Sequence, residues 1–433
     1  MAYIPKPYIH QPEIQKFYDD FRVRDEKLPS IYRSKSQEVL EALKTTDTTE
    51  LVSLFDQLQY IEYEKQDLPH LHKALLAKYL VLDEDNYATV TDYIIRCLAQ
   101  LNDSSTIRFI SEVYPGLKGK DEELRYDLLY LLGLFRTNES YSLLKNYIIS
   151  DLPEKGKNQL QYALADSLKL TATLFPDILS QTKDSIFIDG IVPVMKTLVD
   201  SNYLNITDLL PYKNLILSHA AKRMELLKEN EDLWYRYTDW IELIAQFNDR
   251  ETNEALRSYL SIGGSDFRYN VVMALIKNDQ PVPVSEMEKL AADIYYRAYL
   301  YSELKKLKKQ QLFPSKYATQ EKMAQSEIYS IASEESEAKV SLIGERVVEF
   351  MGKRQKFYLY KVSYEYEDGD SEHYLGIAGG YALNQKEIQN YPDAMGIFWT
   401  EAFEKNKIDS QFKTYLESMA ADLKEEKKEQ MGN

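Results

Sequence analysis

Five histidines, one cysteine and 69 acidic residues are the groups with which this 433-residue chain could do chemistry. The histidines are His10, His70, His72, His219 and His373. His70 and His72 stand two apart, which on a helix turns them about 200° from each other, so they cannot grip one metal as an i, i+4 pair does. His219, in the run NLILSHAAKR, reads as a packing or surface residue of a helix, and His373 as a half-buried neighbour on a strand. Cys97 falls in the row Val90, Ile94, Cys97, Leu98, Leu101, whose spacing is helical, and reads as a small buried apolar residue. A single cysteine excludes an internal disulfide and a cysteine-rich zinc site. No Gly-x-Ser-x-Gly, Gly-x-x-x-x-Gly-Lys-Ser/Thr or His-Glu-x-x-His occurs. Gly263-Gly264 reads as a turn between two helices, and Gly379-Gly380 as a turn after a strand. Glu122-Glu123, Glu334-Glu335 and Glu425-Glu426 read as solvated pairs. The sequence therefore assigns no catalytic residue, no cofactor and no metal ligand.

Charge narrows the partners. The chain carries 53 Lys and Arg against 69 Asp and Glu, a formal charge of −16. Gripping a nucleic-acid backbone takes a basic surface, so nucleic acid is not expected. The one dense basic run, Lys305, Lys306, Lys308 and Lys309, reads as a solvated helix end. The longest stretch free of Asp, Glu, Lys and Arg is His373–Gln385, 13 residues, short of the ~20 a membrane-spanning helix needs. The opening MAYIPKPYIHQPE lacks the apolar core of a signal peptide. As it stands the sequence reads as cytoplasmic, and as periplasmic if it is a piece of an exported parent.

The elements that must position any site are mainly helical. Gly and Pro are few, 15 and 14, which favours long helices. Residues 1–35 read as an extended lead-in with a short helix, punctuated by Pro5, Pro7, Pro12 and Pro29. From 36 to 332 apolar residues recur at helical spacing: Leu68, Leu71, Leu75, Leu76, Tyr79 and Leu80 make one face, and Leu124, Leu128, Leu132 and Phe135 another. Breaks at Asn102-Asp103, Thr137-Asn138, Asp151–Pro153, Asn230–Asp232 and Asn278–Pro283 supply capping residues for the next helix.

Within this region one pattern recurs. Leu124–Leu132 reads LRYDLLYLL, Leu160–Leu168 LQYALADSL, Tyr235–Leu243 YRYTDWIEL and Phe267–Leu275 FRYNVVMAL. The starts are 36, 75 and 32 residues apart, a period of about one helix pair. The apolar-Arg pairs Leu124-Arg125, Tyr235-Arg236 and Phe267-Arg268 resemble the second helix of a HEAT-type repeat, while Leu160-Gln161 departs from it. The resemblance implies antiparallel helix pairs stacked as an α-solenoid over 36–332, each pair burying the apolar face its neighbour cannot bury alone.

After a linker at 333–337 (SEESE) the period changes to two. KFYLYKVSYEYED followed by Asp368-Gly369 reads as a β-hairpin with a two-residue loop. That register sets Tyr364 opposite His373, Val362 opposite Leu375 and Tyr360 opposite Ile377, with the tyrosines, Leu375 and Ile377 on one face. A strand near Leu342–Phe350 and a closing helix from Phe403 to about Lys428 complete a small α+β module over 338–433. A helical array before a β module with the Leu375–Ile377 turn and a Phe-rich last helix resembles the C-terminal half of large Bacteroidetes proteins of the TraB/GumN type. Phe175-Pro176 and LVDSNY (Leu198–Tyr203) add to that resemblance. The motifs of the TraB/GumN domain itself are not seen, so its hydrolytic activity does not carry over.

Trp234, Tyr237 and Trp240 lie on one side of a helix. They read either as solenoid interior or as an exposed ridge able to anchor a protein or peptide partner. Two functions follow: a non-catalytic scaffold or interaction protein that binds through the solenoid surface, or an enzyme or accessory domain with a site between the solenoid and the β module.

Overall fold

A computed structural model describes residues 36–432 except 59–60, 80–88, 154–158, 182–184, 231–232, 334–337, 367–369, 385–386, 391 and 393. The lead-in, His10, most of the 333–337 linker and the Asp368-Gly369 tip lie outside the described residues. The chain divides into two compact units, Met1–Asp184 and Ser185–Asn433.

Helices begin where a side chain can accept the first unpaired N–H groups. In the first unit Thr89, Asp103, Asp121 and Thr137 do so, each one residue before a helix. Asn102 takes a left-handed conformation, φ 44°, between two of those helices. The elements are α1 (Ser36–Ala42), α2 (Thr48–Leu58), α3 (Leu68–Leu75), α4 (Val90–Leu101), α5 (Ser104–Val113), α6 (Glu122–Leu134), α7 (Asn138–Asp151), α8 (Leu160–Ala165) and α9 (Leu168–Thr171). Helices two apart in sequence touch: α4 meets α6 and α6 meets α8, while α5 meets α7. This makes two rows of stacked helices, the solenoid arrangement of helix pairs.

The second unit repeats that arrangement with α10 (Ser185–Asp200), α11 (Lys213–Glu229), α12 (Trp234–Phe247), α13 (Arg250–Tyr259), α14 (Ser265–Lys277), α15 (Val284–Ala292), α16 (Ile294–Lys306) and α17 (Gln320–Ala332). Here α10, α12, α14 and α16 form one row, and α11 touches α13 in the other. Asp249, Asp293 and Thr319 cap helix starts. Gly263, φ +68°, makes the turn into α14, as the sequence predicts.

The recurring nine-residue pattern falls on α6, α8, α12 and α14, alternate helices of each unit. Leu128, Leu132, Leu164, Val271 and Leu275 are all buried. Leu168 is only half-buried. Helix α8 ends at Ala165, so the ninth position opens the separate helix α9. Leu76, expected on the apolar face of α3, lies just past its end and is exposed. The Arg of the pattern ties neighbours together: buried Arg125 meets Glu122 and Asp151 at 2.6 Å each and lies over the Tyr114 ring, 4.5 Å from its centroid. Arg268 reaches Glu286 on α15 at 3.1 Å. In α12 the equivalent Arg236 is exposed and lies over Tyr235.

The sheet has the order β1-β2-β3-β4, all antiparallel: β1 (Ala338–Phe350), β2 (Lys353–Glu365), β3 (Ser371–Ala382) and β4 (Ala394–Phe398). The hairpin is shifted by one residue from the expected register. Tyr364 faces Glu372, and His373 faces Ser363. The Tyr366 N–H donates to the Asp370 carbonyl at 3.0 Å, so three residues, not two, lie between the closing pair. One residue of slip moves every partner to the other side. Leu375 and Ile377 therefore lie with Leu359 and Phe357 rather than with Tyr360.

Both faces are covered. Tyr360, Val362 and Tyr364 pack on Ala324, Ile328 and Ala332 of α17. The Tyr360 and Tyr364 hydroxyls donate to the Glu321 and Ala332 carbonyls at 2.6 and 2.9 Å. Phe357, Leu359, Leu375 and Ile377 pack on Phe412 and Tyr415 of α18 (Ile408–Gly432). Gly379-Gly380 is not a turn after a strand but part of β3. A Cβ on Gly379 would lie 2.0 Å from Phe357 Cδ1, so the close approach requires glycine.

Two stability outcomes follow. Leu132→Ala empties a fully buried site and should cost about 2–5 kcal/mol in urea unfolding. Gly379→Ala should lower the melting temperature while Gly352→Ala, whose Cβ meets nothing within 4 Å but whose φ is +74°, should cost less; calorimetry of both variants decides it.

Candidate functional site

Of the two readings of the aromatic cluster, the structure has the interior one. Tyr237 and Trp240 are buried, Trp240 at 1 % exposure, and Trp234 is half-buried. Trp240 sits against His219 of α11 with ring centroids 6.4 Å apart. Leu243 and Ile244 are buried on the same helix, so this side of α12 is the interior of the helix pair and Tyr235 faces solvent instead. Elsewhere His72 stacks on Phe109, 4.2 Å between centroids, and its Nε2 meets Thr106 Oγ1 at 2.9 Å. Burial pushes the Cys97 thiol up from its ordinary range. Lys309 closes the end of α16 by pairing with Asp279 at 2.6 Å. No group of three or more His, Cys, Asp or Glu among the described residues could hold a metal.

A groove of about 400 Å³ is lined by residues of this unit's first row. Lys196 and Asp200 come from α10, Glu242 and Gln246 from α12, Tyr269, Asn270 and Met273 from α14, and Glu303 from α16. The i, i+4 spacing in Lys196/Asp200 and Glu242/Gln246 puts each pair on one helix face. Lys196 Nζ lies 2.6 Å from Glu242 and 3.3 Å from Asp200. Gln246 Nε2 donates to Asp200 at 3.0 Å. Asn278, at the groove end, donates to the Ala245 carbonyl at 2.9 Å and to Asn253 at 3.0 Å, fixing α12 against α14.

The electrostatics are lopsided. Burial works against the Lys196 ammonium, but Glu242 and Asp200 outweigh it and hold its pKa above the ordinary range. Asp239, one turn before Glu242 and half-buried, is raised, first by desolvation and then by Glu242 and Asp200, with Lys196 opposing. Asp200 and Glu242 thus share one lysine. Lys277 also lines the groove, and Glu303 is engaged by Lys306 at 2.6 Å.

From Tyr269 in the groove, ring contacts lead across α14 to the tyrosines of α16. Tyr269 lies 5.1 Å from Tyr296, Tyr295 lies 4.9 Å from Tyr296, and Tyr299 lies 5.7 Å from Tyr295. Tyr295 and Tyr299 are 41 % and 38 % exposed. Tyr296 donates to Asp266 and is buried beneath them. The Tyr299 hydroxyl meets Ser330 of α17 at 3.3 Å. The surface offers carboxylates beside solvent-facing aromatic rings, a chemistry suited to holding a segment of another chain.

Sequence reasoning found Tyr269 only as the third residue of the repeated pattern and did not bring these groups together. The available signal was the i, i+4 spacing of Lys196/Asp200, Glu242/Gln246 and Tyr295/Tyr299. No protein-family model matches the chain, and no curated protein or solved structure matches it.

Burial pushes Tyr269, Tyr63 and Tyr79 up to about 12. Their phenols ionise near 10 when unfolded, so the native state holds these protons longer. Their contribution to stability is complete below pH ~10 and is lost as pH rises toward about 12. Denaturant midpoints at rising pH should fall through that window, and tyrosinate absorbance should rise in two stages, exposed rings near pH ~10 and buried rings later, together with unfolding.

Proposed function

We propose that the chain is an interaction protein, a non-catalytic scaffold that binds an extended peptide segment of a partner protein along the groove of α10, α12, α14 and α16. The helix pairs then form a HEAT-like solenoid whose first row presents the binding surface. The observation that carries this reading is the groove whose Tyr269 leads, through ring contacts with Tyr296, to the exposed tyrosines 295 and 299. Aromatic side chains ordered by neighbours make good anchors because little side-chain freedom is lost on binding. Four side-by-side helices at roughly 8–10 Å spacing span about 24–30 Å, the length of about eight extended residues.

The test is selection of a random library of displayed peptides, about 12 residues long to exceed that span, on the full chain. Enriched peptides should lose about tenfold or more in affinity for the Tyr295→Ala/Tyr299→Ala variant. Circular dichroism should show that variant folded, since both rings are substantially exposed. Enriched peptides that bind the variant unchanged, or no enrichment at all, would show that the groove is not the interface.

A further inference from the structure

The geometry points to a partner segment that carries arginine, seated with a guanidinium on the Asp200 and Glu242 carboxylates of the groove that Tyr269 also lines. This rests on the interaction reading above and specifies its partner.

The groove comes first. Its floor is Tyr269, Asn270, Met273 and Ala274, its wall on one side is α10 with α12, and on the other α16 supplies Glu303. An occupant lying there passes the carboxylates of α10 and α12 and the ring of Tyr269. Both select for the same group. A guanidinium pairs with carboxylates through two parallel N–H donors and also lies flat on an aromatic ring. The chain already uses this combination within itself: Arg125 pairs with Glu122 and Asp151 while lying over Tyr114.

Charge selects the same group. Asp200 and Glu242 share Lys196, and both act with burial to raise the half-buried Asp239 on α12. An incoming cation removes repulsion among them, whereas an incoming carboxylate adds to it. Lys277 also lines the groove, with Glu303 as a further carboxylate. The chain's charge of −16 attracts the same sign of partner from a distance. Lysine satisfies the charge but lacks the planar fork, so arginine is the better fit.

The peptides enriched on the full chain provide the probe. Each is resynthesised with a fluorophore, with every arginine replaced by neutral citrulline, and with every arginine replaced by lysine. Anisotropy should show the citrulline form weaker by about tenfold or more and the lysine form between the two. The Asp200→Asn and Glu242→Gln variants should each erase most of the arginine-over-citrulline preference while leaving citrulline-peptide affinity nearly unchanged. Glu254→Gln, exposed on α13, should change neither. Asp200 is itself exposed, so its variant should keep the fold even if Glu242→Gln does not. Enrichment that depends on Tyr295 and Tyr299 but contains no arginine, or tolerates citrulline, overturns this inference and leaves the interaction reading standing. An arginine preference that survives both groove variants overturns it as well, because the attraction is then only that of the chain's overall charge. Absence of any groove-dependent peptide overturns both.

Discussion

Helix α17 has no side to spare. Every residue from Gln320 to Ala332 is buried or half-buried, none exposed. It touches α16 and all four strands. Buried Arg297 of α16 holds it in place, donating to the Ala291 and Ala292 carbonyls at the end of α15 and to the Lys322 carbonyl and Gln325 of α17. Ser326 accepts from the Ala298 N–H and donates to the Ile294 carbonyl. A buried guanidinium without these acceptors would be costly, so α15, α16 and α17 are fixed together. The sheet then builds on a surface that is already rigid.

That constraint explains why Ser185–Asn433 is one unit although its sequence changes period after residue 332. Residues 333–337 look like a linker because they are small and charged, yet the helix before them supplies half of the sheet's core. Ala324, Ile328 and Ala332 let the strands approach closely, and Gly376 has no room for a side chain: a Cβ there would stand 2.9 Å from Ile328 Cγ2. Composition marks where the chain direction changes, not where packing stops.

Helical periodicity and capping residues made most of the helical region legible, because both are local. Thr137 with Ser140 and Asp249 with Thr252 announce their helices within four residues. The hairpin register was not legible. Strand alternation sets one face against the other, but here both faces are covered, so Leu375 and Ile377 fit either side and only the loop length decides. Strand β4, a short AMGIF run, carried little signal. The burial of Trp240 depends on His219, 21 positions earlier, and the groove joins residues from 196 to 303. Such juxtapositions come from how helices stack, which a single sequence does not state.

The position of the sheet limits how the array can grow. A stacked row of helices ends on a face as apolar as its interior, and an uncovered end invites further units or other chains. Here the face of α17 turned away from α16 is closed by β1–β4, and α18 closes the sheet's opposite side. One of the sheet's two margins, β1, carries Lys339, Glu345, Arg346 and Glu349, with its pairing irregular between Leu342 and Gly344. Charge and a break in register are the devices that stop one sheet from extending into the next. The C-terminal module is thus a terminus in the architectural sense: adding a helix pair after α17 would require removing it.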